Sequence, residues 1–111
     1  TAYEILTCDW IQTCALPIST FPDSESVWHC YVIEVENRDR VRAQLAEAGI
    51  DTGLHYPVPL HLQQVYADLG YQSGDFPVSE RIAAHCLSLP IYPELTDEQI
   101  QHVANVLRKV T

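Results

Sequence analysis

The residues best placed for chemistry lie in one stretch, His55-Tyr56-Pro57-Val58-Pro59-Leu60-His61. An imidazole can bind a metal, move a proton or hydrogen-bond a polar ligand near neutral pH. Two prolines one residue apart hold φ at about −65° and remove two backbone donors. They also push Tyr56 and Val58 out of the helical region. The stretch therefore reads as a stiff, extended connector, with a His-Tyr pair at one end and His61 at the other. Such a connector can aim polar tips at a ligand or can fill a corner. The residues alone leave both open, and Tyr56 can equally pack its ring and leave its hydroxyl in water.

Other candidates are weaker. As metal ligands, His55 and His61 could be joined by His29, Cys30, His85 or Cys86, but the spacing matches no standard motif and points to packing or ligand contact instead. The four cysteines, Cys8, Cys14, Cys30 and Cys86, contain no Cys-x-x-Cys pair. They read as reduced thiols, with Cys30 and Cys86 as small buried hydrophobes. Arg38, Arg40 and Arg42 can grip phosphate, although a charge run on a helix is more often a solvated face. Lys109 is the only lysine. A Schiff-base lysine must be desolvated, whereas Lys109 falls in a last helical turn, where water and the helix dipole keep it charged. The chain has no glycine-rich phosphate loop and no recognisable nucleophile motif.

Composition narrows the classes further. A net charge of −9 on 111 residues argues against a nucleic-acid binder, which needs a basic face. No run approaches the ~20 apolar residues of a membrane span. The start, Thr1-Ala2-Tyr3-Glu4, lacks the basic flank of a signal peptide, so the expectation is a cytoplasmic protein without membrane contact.

The elements that must hold the connector can be taken in order. Residues 1–20 are poorly determined, with alternation at neither period, and 1–16 is expected to be low in order. Residues 28–35, aromatic and β-branched, predict a strand. Asn37 can cap a helix carrying Val41, Leu45 and Ala48, closed by Gly49 in the left-handed conformation. Residues 50–56 read as a second short strand. Leu62, Val65 and Leu69 predict a short helix ending at Gly70, and residues 79–86 another, entered behind Pro77. Residues 87–91 form a buried strand ended by Pro90. Thr96 and Gln99 make a capping box for a last helix with Ile100, Val103, Leu107 and Val110 along one stripe. The fold class is α+β: a small sheet of about three strands flanked by helices.

Several of these pieces together carry a resemblance. They are Trp28-His29-Cys30-Tyr31-Val32-Ile33; Gly49-Ile50-Asp51-Thr52-Gly53-Leu54-His55-Tyr56-Pro57 with Pro59-Leu60-His61-Leu62-Gln63; Gly74-Asp75-Phe76-Pro77-Val78-Ser79-Glu80; and Leu87-Ser88-Leu89-Pro90-Ile91-Tyr92-Pro93-Glu94-Leu95-Thr96. In sequence and order they resemble the C-terminal domain of the DegT/DnrJ/EryC1/StrS aminotransferases, which are sugar aminotransferases of fold type I that depend on pyridoxal phosphate. The resemblance covers residues 21–111.

The resemblance implies a function. Members move an amino group, usually from glutamate, to a keto group on a nucleotide-linked sugar, and act as homodimers. It assigns residues 21–111 to the small domain that closes the cleft. It makes His55 and Tyr56 substrate-binding residues, touching the sugar or its diphosphate, and leaves His61 as a structural corner. The family's lysine, its acidic partner for the pyridine nitrogen and its phosphate loop have no match here. The cofactor is thus expected in the full-length enzyme and not on this stretch, which should not transaminate alone. Residues 1–16 do not match the family's interdomain helix, and residues 7–16 are read as a candidate foreign junction. The small family-like part implies a marginal core with an exposed apolar patch. The residues also allow an α+β module that binds a small ligand or a partner without catalysis, or a small metal-dependent hydrolase using His55 and His61.

Overall fold

A computed structural model describes residues 15–17, 22–23 and 27–111. The expectations for residues 1–14 and 18–20 lie outside the described residues. The elements are strand β1 (Ala15–Pro17), strand β2 (Tyr31–Val35), helix α1 (Arg38–Glu47), 3-10 turns at Leu60–Leu62 and Gln64–Leu69, helix α2 (Pro77–His85), strand β3 (Cys86–Leu89) and helix α3 (Asp97–Val110). Sheet and helices together bear out the α+β expectation.

The sheet rests on β2 and β3, which run antiparallel with Tyr31 opposite Leu89 and Glu34 opposite Cys86. The short β1 pairs on the other edge of β2, Ala15 opposite Val35. Along β2, Tyr31, Ile33 and Val35 are buried while Val32 and Glu34 are half-buried, the alternation of a strand with one face on a core. All four residues of β3 are buried. Val41 and Leu45 of α1, Ile50, and Ile100, Val103, Ala104 and Leu107 of α3 close over the sheet as one apolar cluster. Burial of a Leu or Ile side chain contributes roughly 1.5–3 kcal/mol, so this cluster supplies the main stabilisation.

Local chemistry explains the helix ends. In α3 both arms of the capping box form: Gln99 N donates to Thr96 Oγ1 at 3.3 Å, and Thr96 N to Gln99 Oε1 at 3.0 Å. Gly49 closes α1 at φ 76°. Asn37 departs from expectation. It sits in the left-handed region at φ 52°, makes no side-chain cap, and opens α1 with its carbonyl, which accepts from Arg40 N and Val41 N.

Four further expectations are corrected. The strand over residues 50–56 shrinks to one antiparallel bridge, Gly53 to Ser88, because the chain leaves the sheet at once to carry His55 outward. The helix expected around Leu62, Val65 and Leu69 is instead the pair of 3-10 turns, with all three side chains exposed, since no layer of the described chain covers them. Arg38 is not on a solvated face. Its guanidinium donates to the Ala83 and Cys86 carbonyls at 3.2 and 3.3 Å, at the junction of α2 and β3. Cys86 is fully buried as expected, but Cys30 is only half-buried, just ahead of the paired part of β2.

Candidate functional site

The site grows out of the Gly53–Ser88 bridge. Each residue's N–H donates to the other's carbonyl, at 3.0 Å from Gly53 and 2.9 Å from Ser88. The bridge brings residue 55 level with the middle of β3. There His55 Nδ1 lies 2.8 Å from Ser88 Oγ, a hydrogen bond that fixes the ring. Ser88 is 5% exposed and needs such a partner, because an unpaired buried hydroxyl is costly. Gly53 makes the approach possible. A Cβ there would stand 2.7 Å from His55 Cε1 and 3.2 Å from Nδ1.

Tyr56 follows on the outside. Its ring meets the His55 ring edge-on, centroids 5.5 Å apart, and it is 72% exposed. The peptide between the two is cis. The Cys86 thiol leans on the Tyr56 carbonyl at 3.7 Å. His55 and Tyr56 are thus brought together but open on different hollows. His55 lines a cleft of about 680 Å³ between the loop after α1, the segment after β3 and the first turns of α3. Tyr56 lines a shallower hollow of about 420 Å³ with Pro57, Val58 and Leu62. The larger cleft holds His29, His55 and His102 together with Asp51 and Glu98, over an apolar floor that includes Ile50 and Leu89, and no Lys or Arg lines it.

His61 stands apart. Its side chain is 7% exposed. Its Nε2–H donates to Glu80 Oε1 at 3.0 Å, and its ring packs on Phe76, which in turn meets Tyr71 edge-on. Glu80, in the first turn of α2, also accepts from Gly74 N at 2.8 and 3.0 Å, from Ser73 Oγ at 3.1 Å and from Phe76 N at 3.4 Å. The Gly74 amide above all, with the Ser73 hydroxyl, His61 and the Phe76 amide, holds the Glu80 carboxyl below the ordinary carboxylate value against the opposing effect of burial.

Metal chemistry finds no support in this arrangement. Among the described residues no group of three or more His, Cys, Asp and Glu side chains could hold an ion. Lys109 is exposed in the last turn of α3 and does not line the cleft. Among the described residues no helix is long and apolar enough to cross a membrane.

Sequence reasoning missed Gly53, Ser88 and Glu80. A lone serine in an apolar strand was the one available signal for Ser88. Glu80 was visible only as a helix residue.

The family model of the DegT/DnrJ/EryC1/StrS aminotransferase family matches residues 9–108. The erythromycin biosynthesis sensory transduction protein EryC1 of Saccharopolyspora erythraea is 47% identical over 89 residues, covering 80% of this chain and 24% of its own. The dTDP-3-amino-3,4,6-trideoxy-alpha-D-glucose transaminase of Streptomyces venezuelae is 43% identical over 94 residues, covering 85% of this chain and 24% of its own. Among solved structures, S. venezuelae DesV in complex with a ketimine intermediate superposes with a TM-score of 0.86 at 36% identity, over 97% of this chain and 28% of that one. The chain spans about a quarter of the length of the curated relatives it matches.

Proposed function

Because the chain belongs to the DegT/DnrJ/EryC1/StrS aminotransferase family, we propose that residues 21–111 are the C-terminal small domain of a nucleotide-sugar aminotransferase that depends on pyridoxal phosphate. The whole protein transfers an amino group, with glutamate as donor, to a keto-sugar linked to a nucleotide. It works as a cytoplasmic homodimer. His55 and Tyr56 bind the sugar nucleotide.

One observation carries this reading. A tyrosine ring stands 72% exposed beside a histidine whose ring is pinned by a buried serine. Exposed side chains do not stay placed without a reason, and fixing the His55 ring lowers the cost of ordering it around a ligand. The surroundings agree with a part of something larger. From Tyr56 to Val78 the chain exposes Val58, Leu60, Val65, Leu69, Tyr71 and Phe76 among others. A run of that kind suits a surface covered by the rest of a longer protein.

The described residues do not fit the cofactor. The only lysine is exposed at the end of α3, and no Lys or Arg lines the cleft beside His55 to meet a phosphate. We place it on other parts of the full-length protein, and no chemical step is assigned to this stretch. What these residues do is bind and orient. The His55 ring offers its second nitrogen to a hydroxyl or carbonyl of the ligand. The Tyr56 ring can pack on an apolar face of the ligand, and its hydroxyl can donate to an oxygen. With two carboxylates and no Lys or Arg, the His55 cleft suits the uncharged part of the substrate better than its diphosphate.

The test uses the full-length enzyme. Tyr56→Phe and His55→Ala should raise the KM for the keto-sugar nucleotide more than they weaken cofactor binding. Loss of pyridoxal phosphate with normal substrate affinity in both variants overturns the assignment.

A further inference from the structure

No side chain from residue 55 to residue 76 joins the buried apolar cluster. The hydrophobic effect, which holds the rest of the domain, therefore does little for this excursion, and polar contacts must fix it. Two of them stand at the ends of the proline connector. Ser88 Oγ holds His55 at 2.8 Å, and Glu80 Oε1 holds His61 at 3.0 Å. Both anchors lie on one continuous piece of chain, because α2 ends at His85 and β3 begins at Cys86. The span between them contains Pro57 and Pro59, so it cannot flex freely once both ends are tied. Glu80 does more than tie His61. Its two oxygens also gather Ser73 Oγ and the Gly74 and Phe76 amides, and so draw the loop before α2 against the connector. Phe76 then covers the His61 ring, with centroids 4.8 Å apart.

We propose that Glu80 is a positioning residue: together with Ser88 it clamps residues 55–61 at both ends and so sets where the exposed Tyr56 ring stands against the sugar nucleotide. The proposal rests on the reading of His55 and Tyr56 as substrate contacts. Glu80 lines neither the His55 cleft nor the Tyr56 hollow. Its effect runs through His61 and the stiff connector. Cutting the Glu80 end leaves the Ser88–His55 bond intact, so His55 stays while Tyr56 gains freedom. That predicts weaker substrate binding with unimpaired chemistry, since a misplaced contact costs binding only where it is made.

The experiment compares Glu80→Ala, Glu80→Gln and His61→Leu in the full-length enzyme. Glu80→Ala should raise the KM for the keto-sugar nucleotide about tenfold while kcat and the KM for the amino donor change less than about twofold, the pattern of a displaced contact. Glu80→Gln keeps a carbonyl acceptor for the Gly74 amide and should recover most of the loss. Hydrogen–deuterium exchange supplies a readout without activity: in Glu80→Ala the amides of residues 60–62 and 73–76 should exchange about tenfold faster while those of residues 100–107 are unchanged. Where Glu80→Ala fails to fold, His61→Leu cuts the same tie, keeps an apolar partner for Phe76, and should give the same KM rise. An unchanged sugar-nucleotide KM in a folded variant overturns the clamp, as does a KM rise with no change in exchange at 60–62. The two readings separate cleanly. If Tyr56→Phe and His55→Ala leave that KM unchanged, the substrate assignment fails and exchange alone decides the clamp. If they raise it and Glu80→Ala does not, the assignment stands and the clamp is wrong.

Discussion

Gly53→Ala is the sharpest probe of how the site is built. Gly53 is not in the left-handed region, so its backbone accepts alanine. On that count the substitution should stabilise by about 0.4–1 kcal/mol, by restricting the unfolded chain. The space around it says the opposite. The new methyl would stand 2.7 Å from His55 Cε1 and 3.2 Å from Nδ1. Carbon atoms pack at about 3.5–4.0 Å, so the ring must retreat by roughly 1 Å. The bond to Ser88 Oγ is 2.8 Å long, and such a retreat takes it beyond hydrogen-bonding distance. Ser88 is buried, and an orphaned buried hydroxyl costs about 1–3 kcal/mol. The second effect outweighs the first, leaving a net loss of roughly 0.5–2 kcal/mol. The assay is hydrogen exchange at the Gly53 and Ser88 amides, which bond across the bridge. A loss of that size speeds their exchange by about 2- to 30-fold where opening is local. A cycle with Ser88→Ala isolates the cause. Both changes destroy one bond, so the double variant should lose clearly less than the two singles added together. Full additivity, or slower exchange in Gly53→Ala, would refute the argument that glycine is there to admit the His55 ring.

The remaining expectations concern protonation and the lone lysine. Glu80 is held below its ordinary value of 4.5, mainly by the Gly74 amide, so its contribution to the clamp is complete above that value and is lost as pH falls through the lower folded-state value. Exchange or proteolysis at residues 60–76 should therefore quicken on acidification below about pH 4.5, more steeply in the wild-type protein than in Glu80→Gln, and equal slopes would count against it. Lys109→Ala, in the exposed last turn of α3, should leave transamination by the full-length enzyme unchanged within about twofold, and loss of a covalent cofactor signature would overturn that placement.

What was legible in the sequence was what its neighbours in the chain decide. The Thr96 and Gln99 capping box, the left-handed Gly49 and the apolar stripe of Ile100, Val103 and Leu107 each depend on contacts within a few residues, and each formed as read. The family-bearing motifs were legible for a different reason, since they require only order along the chain. Residues 50–56 misled because a β-rich composition looks the same in a full strand and in a single bridge. Leu62, Val65 and Leu69 misled because their spacing suits an amphipathic helix, and nothing in the spacing says whether a layer exists to receive the stripe. Asn37 was correctly placed at a helix start, but its side chain does not do the capping.

The site belonged mostly to the illegible part. Ser88 lies 33 residues from His55, and Glu80 lies 19 from His61. No periodicity reports a pairing at those separations. Only the turn from α2 into β3 puts the two anchors on one rigid piece, and only the missing side chain at Gly53 lets the first anchor close. The two histidines of the opening stretch, alike in the sequence, therefore do different work. His61 is sealed under Phe76 and spends its Nε2 proton on Glu80, which leaves it unable to meet a ligand without breaking the corner. His55 spends one ring nitrogen on Ser88 and keeps the rest of its ring in an open cleft. Burial separates the two: His61 is covered on its Glu80 tie, and His55 is held from behind by Ser88 and left open in front.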